Sequence, residues 1–337
     1  MRRTGTGAGR GPEYRSRMEP MIAHETWFTN ARPAFDWAFA VEPVTLACIL
    51  LAIGAAIVWR VIGRRMPRPE LPFLAPLGRL APWVPRLLAI HAGVSLLAQA
   101  ARHTYLVPAL ALPDSPWGAG LAIAEGFLGV WLITGVRVRW AAVAVVVAGP
   151  LGAIAYGVVP ILERMDLLGI ALFLVVLSPG ADRFGTAAMD HDRIELATFS
   201  LRALVGGALI VLAFTEKLVN PDLALAFLHR YPAFNLARTI GLNVGDLTFI
   251  RIAGGIELLF GLLILSGTMP QLVVLLAGIP FNATLFFLGS AELIGHLPVY
   301  GAMLALLVYG SSRELAPLVD TFPSLRARGA ALAAVLT

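Results

Sequence analysis

Cysteine and lysine are almost missing from this chain, and charge of either sign is thin. The single cysteine, Cys48, excludes an intramolecular disulfide and any multi-cysteine zinc or iron–sulfur centre. Only 14% of the 337 residues are charged, where a soluble domain averages roughly a quarter, while 58% are hydrophobic. Mean hydropathy is +0.78. So few polar residues cannot cover the outside of a water-soluble particle of this size, and the sequence is that of an integral membrane protein whose first partner is the lipid bilayer. The net charge of +5 and pI near 9.9 do not indicate nucleic acid, because the arginines sit in short loops between apolar runs and form no basic stripe. Also lacking are a phosphate-binding glycine loop, a nucleophile elbow, a CxxC pair and a metalloprotease helix. No soluble-enzyme template and no cofactor signature is readable.

What is abundant is long apolar runs. Nine candidate spans fall at 41 to 62, 84 to 102, 118 to 136, 140 to 160, 166 to 180, 198 to 215, 247 to 267, 269 to 289 and 293 to 310. They are too long and too uniformly apolar for barrel strands, so the expected fold is an all-α polytopic transmembrane bundle. With the N-terminus outside and the C-terminus cytoplasmic, fourteen arginines, among them Arg60, Arg64, Arg68, Arg202 and Arg313, lie in or beside cytoplasmic segments. Arg32, Arg102, Arg164, Lys217, Arg230, Arg238 and Arg251 lie on the other side, the asymmetry that the positive-inside rule requires. The arginine-rich stretch before Met18 and Met21 runs against this count, and reads as a disordered tail or as translation from an upstream start. The first apolar run has no small-residue cleavage pattern, so it is expected to remain as a span.

The two halves match each other. Glu125, Gly129, Gly135 and Gly169 are spaced by 4, 6 and 34 residues, and Glu257, Gly261, Gly267 and Gly301 repeat the same intervals. Glycines alone are common in membrane helices, but an intramembrane glutamate in register with them is a strong signal. The expected layout is a tail over 1 to 40, extracytoplasmic near 21 to 40, and a leading span over 41 to 62. A first four-helix unit over 82 to 180, a cytoplasmic linker over 181 to 197, a second unit over 198 to 310 and a cytoplasmic tail over 311 to 337 follow. An even number of spans per unit makes the repeat parallel, with a pseudo-two-fold axis along the membrane normal.

The stretch from 202 to 310 resembles the DoxX-like membrane proteins, a family of four-helix bundles. FTEKLVNP at 214 to 221, RIAGGIELLFGLLILSG at 251 to 267 and GHLPVYG at 295 to 301 look like the family's K-L-x-x-P, E-x-x-x-G and H-L-P positions. The first unit resembles a diverged copy, in which Glu125 and Gly129 persist and Asp166 replaces Pro298. The resemblance implies a cytoplasmic-membrane protein, in some members a subunit of thiosulfate:quinone oxidoreductase or a partner in membrane redox assemblies.

Several residues are candidates for chemistry. Glu125 and Glu257 within spans read as a facing pair lining a central cavity, taking protons or a polar ligand. The plainer reading is that each fixes helix packing, with Gly254 and Gly261 permitting close approach. His91, Ser95, Gln99 and His103 form a polar stripe at four-residue intervals, suited to a water-filled groove, a quinone headgroup pocket or a proton path, or simply to interhelical hydrogen bonding. Glu216, Lys217, Arg251, Glu292 and His296 share one depth and read as an outer vestibule, or as interfacial ion pairs. Glu292 with His296 is too small a set to make a metal site. His24 and Glu25 add none. The segment from 221 to 245 reads as an interfacial helix or lid. Three functions stay open: a non-catalytic or quinone-facing subunit of a membrane redox (quinone- or thiol/sulfur-linked) or envelope-related assembly with a redox protein partner, a small-molecule or proton-coupled transporter using the paired glutamates, and a membrane enzyme acting on a lipid or thiol substrate at the outer vestibule.

Overall fold

The computed structural model describes residues 33–177 and 191–322. The expected tail over 1 to 40 lies outside the described residues up to 32, as do 181 to 190 of the linker and the chain beyond 322. Among the described residues the fold is a helical bundle with no named strand. A short helix α1 (Trp37–Val41) is capped by Asp36, whose side chain accepts from the amides of Ala38 and Phe39. Pro43, whose missing N–H costs nothing at a first helical position, then opens α2 (Pro43–Gly63). Its 21 residues reach about 30 Å, enough to cross a hydrocarbon core. A 3-10 segment, Pro72–Trp83, leads into α3 (Val84–Ala101), followed by α4 (Pro116–Thr134), α5 (Val138–Tyr156), α6 (Val158–Leu162) and α7 (Met165–Leu177). Then come α8 (His191–Leu212), a π-helical turn over Ala213–Leu218, α9 (Pro221–Arg230), α10 (Leu236–Thr239), α11 (Asp246–Ser266), α12 (Pro270–Leu288), α13 (Ser290–Ser311) and α14 (Ala316–Val319).

Among the described residues, seven helices are long and apolar enough to cross a membrane, and all seven coincide with expected spans. At the other two expected positions stand shorter apolar stretches, Met165–Leu177 and Pro270–Leu285. The first begins only at Met165 because residues 163 and 164 interrupt the helix between α6 and α7, and its other end falls at the edge of the described residues.

Helices α3 and α4 pack together, as do α8 and α11. Two further contacts join the halves, α7 against α8 and α13 against α3, and α2 lies along α11. Each close pair crosses at glycine. A Cβ on Gly93 would stand 2.6 Å from the Gly129 carbonyl oxygen, and one on Gly206 would stand 2.6 Å from that of Gly261. Such contact is open only to residues without a side chain, and close backbone approach is how helices associate where lipid removes the hydrophobic drive. The contacts between the halves also correspond. Gly169 admits Leu204 of α8, while Gly301 admits His91 of α3. Left-handed residues at Gly135, Arg137 and Gly157 recur 132 positions later at Gly267, Met269 and Gly289. Arginines close the ends of the two glutamate-bearing helices: Arg86 donates to the Leu132 carbonyl at 3.2 Å and Arg202 to that of Leu265 at 2.8 Å, where cations oppose the helix dipole.

Overpacking a tight contact costs about 1–3 kcal/mol. Gly261→Val is therefore expected to lower the thermal unfolding midpoint in detergent, whereas Gly54→Ala, with open space around it, leaves the midpoint unchanged or raises it slightly.

Candidate functional site

A cavity of about 280 Å³ lies in the second half of the chain. That is close to the lower end of the size range of small-molecule sites. Its polar end is assembled from three helices. The π-helical turn at the end of α8 widens the backbone by one residue, the kind of irregularity that concentrates at functional sites, and carries Glu216 and Lys217. Lys217 Nζ lies 3.0 Å from a carboxylate oxygen of Glu257 on α11 and 3.8 Å from Glu216. On α13, Glu292 and His296 pair at 3.1 Å across one helical turn. All five line the cavity. They bring three carboxylates, one ammonium and one imidazole to the same end.

The rest of the wall is apolar, much of it phenylalanine. Phe227 from α9 and Phe234 from the following 3-10 turn meet edge to face at 4.9 Å, and Phe234 reaches Phe287 of α12 at 6.1 Å. The segment from 221 to 245 thus holds α9, a 3-10 turn and α10, and supplies one wall of the cavity. Asn235, fully buried, fastens it: its amide nitrogen donates to Asp246 at 2.9 Å and to the Val244 carbonyl at 3.2 Å. The Phe281 and His296 rings meet edge to face at 5.1 Å.

Arg251 departs from the vestibule expected for it. Its guanidinium pairs with Glu42, donates to Thr45 at 3.0 Å and covers the Phe39 ring at 4.6 Å, so it ties α2 to α11 and does not border the cavity. Glu125 likewise does not join Glu257 in one central site. It is buried in the first half, where one carboxylate oxygen accepts the Leu106 backbone N–H at 3.0 Å. Ser95 and Gln99 are fully buried in the same packed interior: Ser95 accepts from Arg164 at 3.2 Å and Gln99 from Thr104 at 2.9 Å. His91 turns its Nδ1 to the Leu87 carbonyl at 2.7 Å and packs on Gly301.

Arg164 is a residue connecting the halves that the sequence did not mark. Arg164, 3% exposed, donates to Asp166 at 3.3 Å, to Ser95, to the Leu106 carbonyl and, at 2.7 Å, to the Gly295 carbonyl beside His296. The only signal was an Arg and an Asp two residues apart at a helix start. Among the described residues no three of His, Cys, Asp and Glu gather as a metal would need.

No family model matches this chain, and no curated protein and no solved structure matches it.

Removing one partner of a poorly solvated ion pair strands the other charge. Lys217→Met is expected to lower thermal stability more than the double variant Lys217→Met/Glu257→Leu, a non-additivity that a thermal double-mutant cycle measures directly.

Proposed function

We propose that this protein is a duplicated DoxX-like protein of the cytoplasmic membrane. In this reading the nine apolar segments are a leading span and two parallel four-helix units, with the N-terminus outside and the C-terminus cytoplasmic. The matching glycine crossings and the left-handed residues 132 positions apart support the duplication. The positive-inside asymmetry then turns the cavity toward the extracytoplasmic side.

Its role is that of a non-catalytic, quinone-facing subunit of a membrane redox or envelope assembly, with a redox protein as partner. The observation that carries this is the cavity itself. Charged hydrogen-bonding groups gather at one end of a phenylalanine-rich chamber, an arrangement for a small molecule with a polar head and an apolar body. A transporter built on paired glutamates is less well supported, because of the two only Glu257 borders the cavity, while Glu125 is buried in the first half with one oxygen on a backbone amide.

Gentle purification from native membranes, with mass spectrometry of proteins and extracted small molecules, tests this. A bound quinone or a stoichiometric oxidoreductase is expected, with quinone occupancy reduced in Glu257→Gln. A solitary protein without quinone, whose Glu257→Gln variant loses small-molecule flux in proteoliposomes, overturns the reading in favour of transport.

A further inference from the structure

We infer that the cavity beside Glu257 takes a membrane-soluble molecule whose polar end is a hydroxylated aromatic ring, because the chain's own Tyr105 ring fills the corresponding place in the first unit. The inference rests on reading the two halves as copies, and names the ligand class of the site proposed above.

The correspondence is positional. Shifted by 132 residues, the cavity-lining residues Glu257, Pro280, Thr284 and Leu288 become Glu125, Ala148, Gly152 and Tyr156. Tyr105 touches the last three. Its hydroxyl donates to the Ala148 carbonyl at 2.7 Å, and its ring stacks on Tyr156 at 5.7 Å. A Cβ on Gly152 would fall 2.6 Å from the ring, so glycine makes room for the phenol. The next residue, Leu106, gives its N–H to Glu125 and its carbonyl to Arg164, which stands 132 positions before His296. The loop therefore inserts a phenol and one amide among the same set of positions that surround empty space in the second unit. Leu106 holds a left-handed backbone (φ 51°) to do so, a conformation unfavourable for its branched side chain.

The cavity also has a way in for such a molecule. Ile252 and Ile256 on α11 and Phe287 on α12 line the cavity and are 45%, 46% and 40% exposed. Within spanning helices, an opening between them faces lipid. Helix α12 packs mainly on α13 and little on α11, which leaves a lateral gap through which an apolar tail can remain in the bilayer.

The test uses the full chain in lipid nanodiscs, with decylubiquinol as probe, decylbenzene as its hydroxyl-free counterpart, and native mass spectrometry to count retained molecules. The unaltered protein is expected to retain one decylubiquinol, with decylbenzene held about tenfold more weakly, the ratio that one lost hydrogen bond produces. Ile256→Trp, which fills the portal, is expected to retain none, and Tyr105→Ala, which vacates the first unit, to retain two. One decylubiquinol on both the unaltered protein and a folded Tyr105→Ala overturns the inference and leaves the quinone-facing role standing. Equal retention of the two probes by the unaltered protein overturns it without any variant, and so does no retention of either. The quinone content of native preparations decides the role itself independently.

Discussion

A carboxylate halfway along an apolar helix has to be satisfied by the protein, because the surrounding lipid offers it nothing. Glu125 and Glu257 meet that demand by different means, and Glu125 only in part, since its second carboxylate oxygen is buried without a hydrogen-bond partner. Glu125 accepts a backbone N–H from Leu106, so a loop must fold down into the first half to deliver it. Glu257 takes the ammonium of Lys217, the only lysine in the sequence, at the end of a long flexible stem. A backbone partner brings a wall of neighbouring atoms with it, and here that wall is Tyr105 and Leu106. A lysine arrives from the side and leaves the volume in front of the carboxylate open. Much of the difference between a packed half and a hollow half follows from which donor answers the glutamate.

The packed half is then part of the hollow half's machinery. Arg164 is buried among Ser95, Asp166 and the Leu106 carbonyl, and its remaining donor reaches the Gly295 carbonyl at the start of the turn that carries His296. Below this level the two halves hold each other through α7 on α8 and α13 on α3, with the Phe173 and Tyr309 rings stacked 6.2 Å apart between them. At the far end, Trp59 and Arg60 of the leading helix bind the carbonyls of Thr268 and Ser266, so α2 braces the helix that bears Glu257.

Seven of the nine expected spans stand among the described residues as long apolar helices, legible because apolar run length is a one-dimensional property that the sequence shows directly. The glycine and glutamate register was legible for a related reason: close helix crossings and left-handed turns admit few residue types, so Gly129, Gly135, Gly261 and Gly267 stand where geometry requires them. Depth could also be read, and it brought Glu216, Lys217, Glu292 and His296 to one level. Depth without azimuth misled at Arg251, which shares that level but faces α2. Periodicity put His91, Ser95 and Gln99 on one face of α3, yet a polar face meeting a cavity and one meeting another helix have the same spacing. The return of the 103 to 111 loop, which seals Glu125, leaves no trace in composition or period.

The two glutamates differ in access: Glu257 borders open space and Glu125 is buried. Cysteine placed at each position in a Cys48→Ala background, and treated with a small methanethiosulfonate reagent in intact vesicles, measures this directly. Many-fold faster modification of Glu257→Cys than of Glu125→Cys is expected. Equal rates, or faster modification at position 125, would contradict it.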